Sequence, residues 1–355
     1  MKKSIVFVLG IRPDIIRAAL IMRYLKEAND IKVHFVWSGQ HYSDNLKDIF
    51  FREFDMPRPD FDLECSGETD AEISGQLIPK LYNLLLKIKP ECVVFLGDTN
   101  TTSGCIAAAQ LDIPIIHAEG LNQKNIVVVR NPIVDILNHI YFKNKDKFHL
   151  DKSDIFFTQK NIKKNEYYLM TCHRRENVHI DQSFDSIIKL VEESKYPVYF
   201  PASYRTQKVM YHRGILNVKN LIVVDPVGYE EILKLILNSR GVITDSGTIP
   251  EECSVLQIPC VQMRKATERP QVYDVGGCVK FDPDLIDKYQ PKEIYKKLES
   301  LQGKNWAHTL GDGLSSKRIA EDLIYRTRNQ KLRGHLYRNN HLPIQRSLIE
   351  DGIEV

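Results

Sequence analysis

Six short runs of the chain set polar residues directly behind apolar ones, and these are the places where chemistry would be done. In LGDTNTTSG, residues 96–104, Asp98 follows an apolar run and precedes a cluster of threonines. It would either cap a helix or point a carboxylate into a cleft. In IPIIHAEG, residues 113–120, His117 and Glu119 end a strand, and the two-residue period puts both side chains on one side. A strand-end glutamate in a nearly closed cleft has a raised pKa and suits an acid or base. The plain alternative is a surface loop, and one His–Glu pair does not complete a metal ligand set.

In TCHRREN, residues 171–177, His173, Arg174 and Arg175 form a compact cationic cluster suited to a diphosphate. In TDSGTIPEE, residues 244–252, a glycine turn leads into a helix start marked by Pro250, Glu251 and Glu252. Backbone N–H groups of Ser246, Gly247 and Thr248 would hold a phosphate there, or a carboxylate such as Glu252 would accept ribose hydroxyls. A capped helix explains the composition but not the crowding of Asp, Ser, Gly and Thr. MRKATERPQ, residues 263–271, adds Arg264, Thr267, Glu268 and Arg269. LGIRPDIIR, residues 9–17, places Arg12 before Pro13, a residue suited to a first helical position. Arg12 at a helix entrance would bind phosphate; otherwise it is a solvated loop arginine. Together these runs suggest a nucleotide-diphosphate ligand held mainly by the second half, with Asp98 and Glu119 of the first half as the reacting carboxylates. No G-x-G-x-x-G follows the first strand, so a dinucleotide cofactor is not indicated.

Such groups need strand ends to hold them, and the chain supplies strands in regular alternation with helices. Strand-like runs are Ser4–Leu9, Val33–Trp37, Cys92–Leu96 and Pro114–His117, then Tyr167–Thr171, Val198–Phe200, Leu221–Val224, Gly241–Thr244 and Cys260–Met263. Helical patterns cover Pro13–Glu27, Asp70–Ile88, Thr102–Gln110, Gln182–Glu193, Gly228–Asn238, the run opening at Pro250, and Ser315–Arg326. Continuous Val/Ile-rich strands suit parallel sheets covered on both faces. The lysine-rich stretch 143–165 marks a domain boundary, giving α/β domains over 1–150 and 151–314. Ligands of such doubly wound sheets bind beyond the carboxyl ends of the strands.

Composition excludes several classes. A hydrophobic fraction of 43% over 355 residues is ordinary for two globular cores. A net charge of +3 gives no support for bulk nucleic-acid binding, and the basic tail, residues 331–355, is expected to be solvated. Seven scattered cysteines without a C-x-x-C pair indicate reduced thiols in a cytoplasmic compartment. The opening MKKSIVFVLGIRP is a first strand rather than a signal peptide. No apolar run approaches the roughly 18–20 residues of a membrane span.

These motifs resemble one family, the non-hydrolysing UDP-N-acetylglucosamine 2-epimerases. The carriers are GIRPDIIR, SGQHYSDNL, LGDTNTTSG, IPIIHAE, TCHRREN, TDSGTIPEE, RKATERPQ and GDGLSSKRI, spread over residues 4–325. The resemblance implies two Rossmann-like, doubly wound domains with a cleft between them, similar to the GT-B glycosyltransferases. A C-terminal helix at about 315–330 would pack back on the first domain. It implies a cytoplasmic homodimer acting on a UDP-sugar bound for a cell-surface polysaccharide, with no metal or redox cofactor. The C2 proton would be removed, UDP would leave C1, and re-addition to the glycal would complete the epimerisation. Asp98 and Glu119 match the acid/base positions, and His173 matches the histidine that assists the diphosphate. Arg12 and Arg17 match the basic residues of the first motif, where Arg17 is usually lysine. Ser246, Gly247, Thr248 and Glu252 match the UDP site, where position 248 is more often glycine. Arg174 and Arg269 would add charge for the diphosphate. SGQHYSDNLKDIFF and LGDTNT resemble the branch acting on UDP-linked 6-deoxy-N-acetyl-L-hexosamines. Tyr42 stands where the main branch has an arginine of its allosteric site. A hydrolysing epimerase, a GT-B glycosyltransferase and a catalytically impaired UDP-sugar binder are the alternatives.

One stretch departs from the pattern. In HAEGLNQKNIVVVRNP, residues 117–132, two strand-like runs are separated only by Leu121–Asn125. Parallel neighbours need a crossover of about a dozen residues or more. The family has a further helix-bearing segment here, including a Pro-Glu-Glu-x-Asn-Arg run with a third acid/base carboxylate. Either the chain is truly shorter, which would leave a binder of UDP-sugar with poor catalysis, or residues are missing from the sequence as read. The need for a crossover helix favours the second.

Overall fold

A computed structural model of the protein describes residues 2–39, 47–97, 99–118, 127–215, 217–267 and 269–332. Contacts divide the chain into two units, Met1–Val129 with Leu314–Val355, and Arg130–Gly313.

The first unit is built on a parallel sheet. Its strands are β1 (Lys3–Leu9), β2 (Ile31–Trp37), β3 (Phe61–Asp62), β4 (Cys92–Leu96) and β5 (Ile115–Ala118), in the order β3-β2-β1-β4-β5. Ile5 to Leu9 of the central strand are fully buried. That is why β1 is an unbroken apolar run rather than an alternating one. The helix Asp70–Ile88 starts at Thr69, whose hydroxyl accepts from the N–H of Glu72 (3.2 Å). It lays Leu77, Leu81 and Leu85, spaced at helical period, against Val93 and Phe95 of β4. The helix Ser315–Arg328 also belongs to this unit and packs on the helix Arg12–Lys26. Lys3 Nζ donates to the Thr327 carbonyl (2.6 Å), and Arg328 pairs with Asp30 (2.6 Å).

No further strand joins this sheet after β5 among the described residues. The expectation of a strand at NIVVVRNP is corrected here. Residues 127–130 have no regular structure, and the Val128 side chain is 80% exposed. Asn131 then caps the helix Pro132–Leu137 through the N–H of Ile133 (3.0 Å). So short a link after β5 cannot hold the crossover that a parallel neighbour would need. The boundary expected near residue 150 falls instead at 129/130. The helix at Pro132 packs on the helix Thr248–Leu256, and Asn238 donates to the Phe148 carbonyl (2.8 Å), so residues 130–150 join the second unit.

The second unit carries β6 (Tyr168–Thr171), β7 (Val198–Pro201), β8 (Leu221–Val224), β9 (Gly241–Thr244), β10 (Cys260–Met263) and β11 (Cys278–Phe281). All pair in parallel, in the order β11-β10-β9-β6-β7-β8. The chain leaves β6 toward β7 and β8, then returns to β9 on the other side. The β6/β9 boundary is therefore a topological switch point, where open α/β sheets bind ligands. Tyr168, Met170, Phe184, Leu190, Phe200 and Phe281 are buried in one core cluster beneath it. All seven cysteines are free thiols, and burial pushes Cys92 up to about 12.

Candidate active site

At the switch point the last registered pair of β6 and β9 is Thr171↔Thr244, and their hydroxyls bond across the strands at 2.6 Å. The loop leaving β6 is held by the first residue behind β9. Asp245, fully buried, accepts the N–H groups of His173 (2.9 Å) and Arg174 (2.8 Å) on one oxygen. Asn177 also reaches that oxygen (3.3 Å) and donates to the Met263 carbonyl at the end of β10 (2.9 Å). The other oxygen lies 3.2 Å from His173 Nδ1, an ion-pair distance at which no hydrogen bond is aligned. Burial first, and then the charge of Asp245, hold the Cys172 thiol well above its ordinary pKa. Arg205, from the helix Tyr204–His212 after β7, donates to the His173 carbonyl (2.7 Å). The cationic loop is thus pinned by its backbone, while the His173 side chain stays 40% exposed.

The turn after β9 is equally tied. Ser246 N–H donates to Thr244 Oγ1 (3.0 Å), and Ser246 Oγ accepts from Thr248 N (3.2 Å) and Ile249 N (3.4 Å). The serine hydroxyl therefore caps the helix Thr248–Leu256 in the way an incoming anion would. Gln262 donates to the Ser246 carbonyl (3.2 Å) and accepts from Tyr273 Oη (2.6 Å). In the same helix Glu251 is fully buried and accepts from Arg269 (2.5 Å) and Asn131 (2.7 Å). Glu252 is buried beside it.

In the first unit Arg12 opens the helix Arg12–Lys26, with its guanidinium 5.8 Å from the Phe50 ring centroid. Asp14, buried, accepts from Gly10 N (3.0 Å) and Ile11 N (3.3 Å). Arg17 and Asp14 lie beside Gly97, whose φ of +67° suits glycine. His117 bonds the Gly97 carbonyl, and β4 and β5 end in the pairs Phe95↔His117 and Leu96↔Ala118. Asp98 and Glu119 come directly after these strands but, with Tyr42 and Glu268, lie outside the described residues.

The structure thus gathers His173, Arg174, Ser246, Gly247 and Thr248 at one switch point, with Glu252 and Arg269 on or against the adjoining helix. Arg12 and Arg17 sit in the first unit. Asn177, Arg205, Gln262 and Asp14 escaped the sequence reading, and Asp245 and Glu251 were read only as part of the TDSGTIPEE motif, without these partners. Arg205 carried the same signal as the others, a cation just behind a strand. The roles of Asp245 and Glu251 carried none, because their partners lie far away in the chain; those of Asp14 are the N–H groups four and three residues back.

Comparison with known proteins gives these positions a context. The family model for UDP-N-acetylglucosamine 2-epimerase matches residues 23–121 and 118–324, two pieces that meet at the short junction. A UDP-N-acetylglucosamine 2-epimerase of Methanocaldococcus jannaschii is 30% identical, over 92% of this chain and 99% of its own length. That alignment runs over 377 positions, so about fifty of them face no residue here. A UDP-2,3-diacetamido-2,3-dideoxy-D-glucuronate 2-epimerase of Pseudomonas aeruginosa is also 30% identical, over 90% of this chain and 99% of its own. The crystal structure of the Methanocaldococcus jannaschii UDP-GlcNAc 2-epimerase in complex with UDP-GlcNAc and UDP superposes with a TM-score of 0.80. It is 29% identical and covers 91% of this chain and 99% of that one. On sequence and fold together, this chain belongs to the UDP-N-acetylglucosamine 2-epimerase family.

Proposed function

We propose that the chain interconverts the C2 epimers of a UDP-linked 2-acetamido-2-deoxyhexose without net hydrolysis. The observation that carries this reading is the tethered cationic loop of His173 and Arg174 beside the Ser246–Thr248 turn, at a sheet switch point. A carboxylate takes the C2 proton, the electron pair forms the C1=C2 bond, and the C1–O bond breaks as UDP leaves with its electrons. UDP then returns to C1 while C2 is reprotonated on the other face. Asp98 and Glu119 serve as the acid/base pair. His173 and Arg174 stabilise charge developing on the diphosphate. The anion replaces Ser246 Oγ at the helix entrance and takes the N–H groups of Gly247 and Thr248, with the Ser246 N–H turning to it from Thr244. Glu252 holds the ribose hydroxyls, Arg269 braces that helix through Glu251 and adds charge, and Arg12 and Arg17 supply cations from the first unit.

The sugar is a UDP-N-acetylhexosamine or a relative altered at C3 or C6. The names of related enzymes span UDP-N-acetylglucosamine and a diacetamido-glucuronate, and the first-unit motifs resemble the 6-deoxy-L branch. The working form is a homodimer. Incubation with UDP-N-acetylglucosamine in D2O is expected to place deuterium at C2 of the recovered UDP-sugar. Absence of exchange with the D-gluco, 6-deoxy-L and diacetamido-glucuronate nucleotides alike refutes the reading.

The two-piece family match favours one second reading, a chain that binds UDP-sugar without turning it over. A clear thermal shift with UDP but no exchange at C2 distinguishes it.

A further inference from the structure

We infer that Asp245 is a positioning residue that sets the orientation and tautomer of His173, beyond any role in holding UDP. The inference rests on the proposed epimerase reading for its kinetic consequence, but not for its structural one. Asp245 is fully buried, and its two oxygens do different work. One oxygen collects the backbone N–H groups of His173 and Arg174, with Asn177 beside them. That fixes where the loop runs. The other oxygen faces His173 Nδ1 at 3.2 Å. A carboxylate can only accept from the ring, so Nδ1 must carry the proton. Nε2 is then the nitrogen that meets the leaving diphosphate. No hydrogen bond forms at Oδ1 in this state, and contacts of this kind tighten when substrate binds. The Thr171–Thr244 bond and the Asn177–Met263 bond hold the strand ends that carry the loop and the carboxylate.

Replacing the carboxylate by an amide separates the two tasks. In Asp245→Asn the amide oxygen still accepts the two backbone N–H groups. The amide NH2 now faces Nδ1 and forces the ring into the Nε2–H form. An amide in place of a histidine-orienting aspartate costs about 10⁴ in kcat in serine-protease triads for this reason. Here the expected result is a fall in kcat of at least about 100-fold, with KM and UDP affinity changed by less than about threefold. The tautomer is read directly by long-range 1H–15N correlation on the His173 imidazole: Nδ1–H in the unaltered chain, Nε2–H in Asp245→Asn. Equal losses of kcat and UDP affinity mean a merely structural carboxylate and overturn the inference, as does an unaltered chain with Nε2–H. The second measurement needs no variant, so it decides even if Asp245→Asn does not fold. Failure of the function reading shows instead as no C2 exchange in the unaltered chain, whatever the tautomer.

Discussion

Asp14 offers a quantitative test of how the first unit holds its opening loop. Its buried carboxylate takes the N–H groups of Gly10 at 3.0 Å and Ile11 at 3.3 Å. Asp14→Ala removes Oδ2, the one oxygen that accepts both bonds. Leaving a buried donor without a partner costs about 1–3 kcal/mol. Gly10 is buried and takes the upper part of that range, while Ile11 is partly buried and water relieves some of its loss. The sum is about 2–4 kcal/mol. The chain has two tryptophans, Trp37 in the first unit and Trp306 in the second, so in a Trp306→Phe background fluorescence reports on the first unit alone. Trp37 is fully buried there and its emission shifts to the red on unfolding. With a urea slope of about 2–3 kcal/mol per molar, the midpoint moves down by about 1 M. Asp14→Asn can set its amide oxygen where Oδ2 stood, accepting both N–H groups, and loses less than half as much. A midpoint shift below about 0.3 M for Asp14→Ala would show that the loop is held by something else.

Three other outcomes are expected. A Cβ at Gly277 would stand 2.6 Å from the Trp306 ring, so Gly277→Ala costs about 1–3 kcal/mol and red-shifts Trp306 emission; unchanged emission refutes the contact. The hydrogen bond from Arg328 lowers the Asp30 pKa from 3.8 to about 2. Its contribution is complete above the unfolded value of 3.8 and is lost as pH falls through about 2. The stability gap between the unaltered chain and Arg328→Gln, read by urea melts, is therefore flat above that window and closes within it; a gap that persists at the acid end refutes the pairing. Burial pushes the Cys92 thiol up to about 12 and Cys105 to about 11, so mass spectrometry after brief alkylation at neutral pH finds Cys92 modified only in the unfolded chain.

Much of this architecture was legible from local pattern. β4, β8, β9, β10 and the helix Asp70–Ile88 run over the residues that their apolar patterns outline. Strands buried on both faces need unbroken Val/Ile runs, and an amphipathic helix needs leucines at its own period, so each element announces itself. The polar groups behind the strands were legible for the same reason, since parallel sheets present their carboxyl ends to ligands. Short apolar runs were the weak point. NIVVVRNP has strand composition, yet periodicity alone does not tell a strand from extended chain or helix. β11 is interrupted by Lys280, and β3 is only Phe61–Asp62, too short to carry a pattern.

The sequence by itself determined the two parallel sheets and the kinds of charge set at their edges, because hydrophobic period and turn chemistry act over a few residues. Tertiary structure alone decided which of the carboxylates serve as internal struts. Asp245 meets the N–H of His173 across 72 residues, and Glu251 meets Asn131 across 120. A carboxylate acquires its task from whatever the fold packs against it, and burial makes those partners obligatory. No local pattern encodes that choice. The absence, among the described residues, of a parallel strand at residues 127–130 was decided in the same way: valines join a parallel sheet only when the chain before them can hold a crossover.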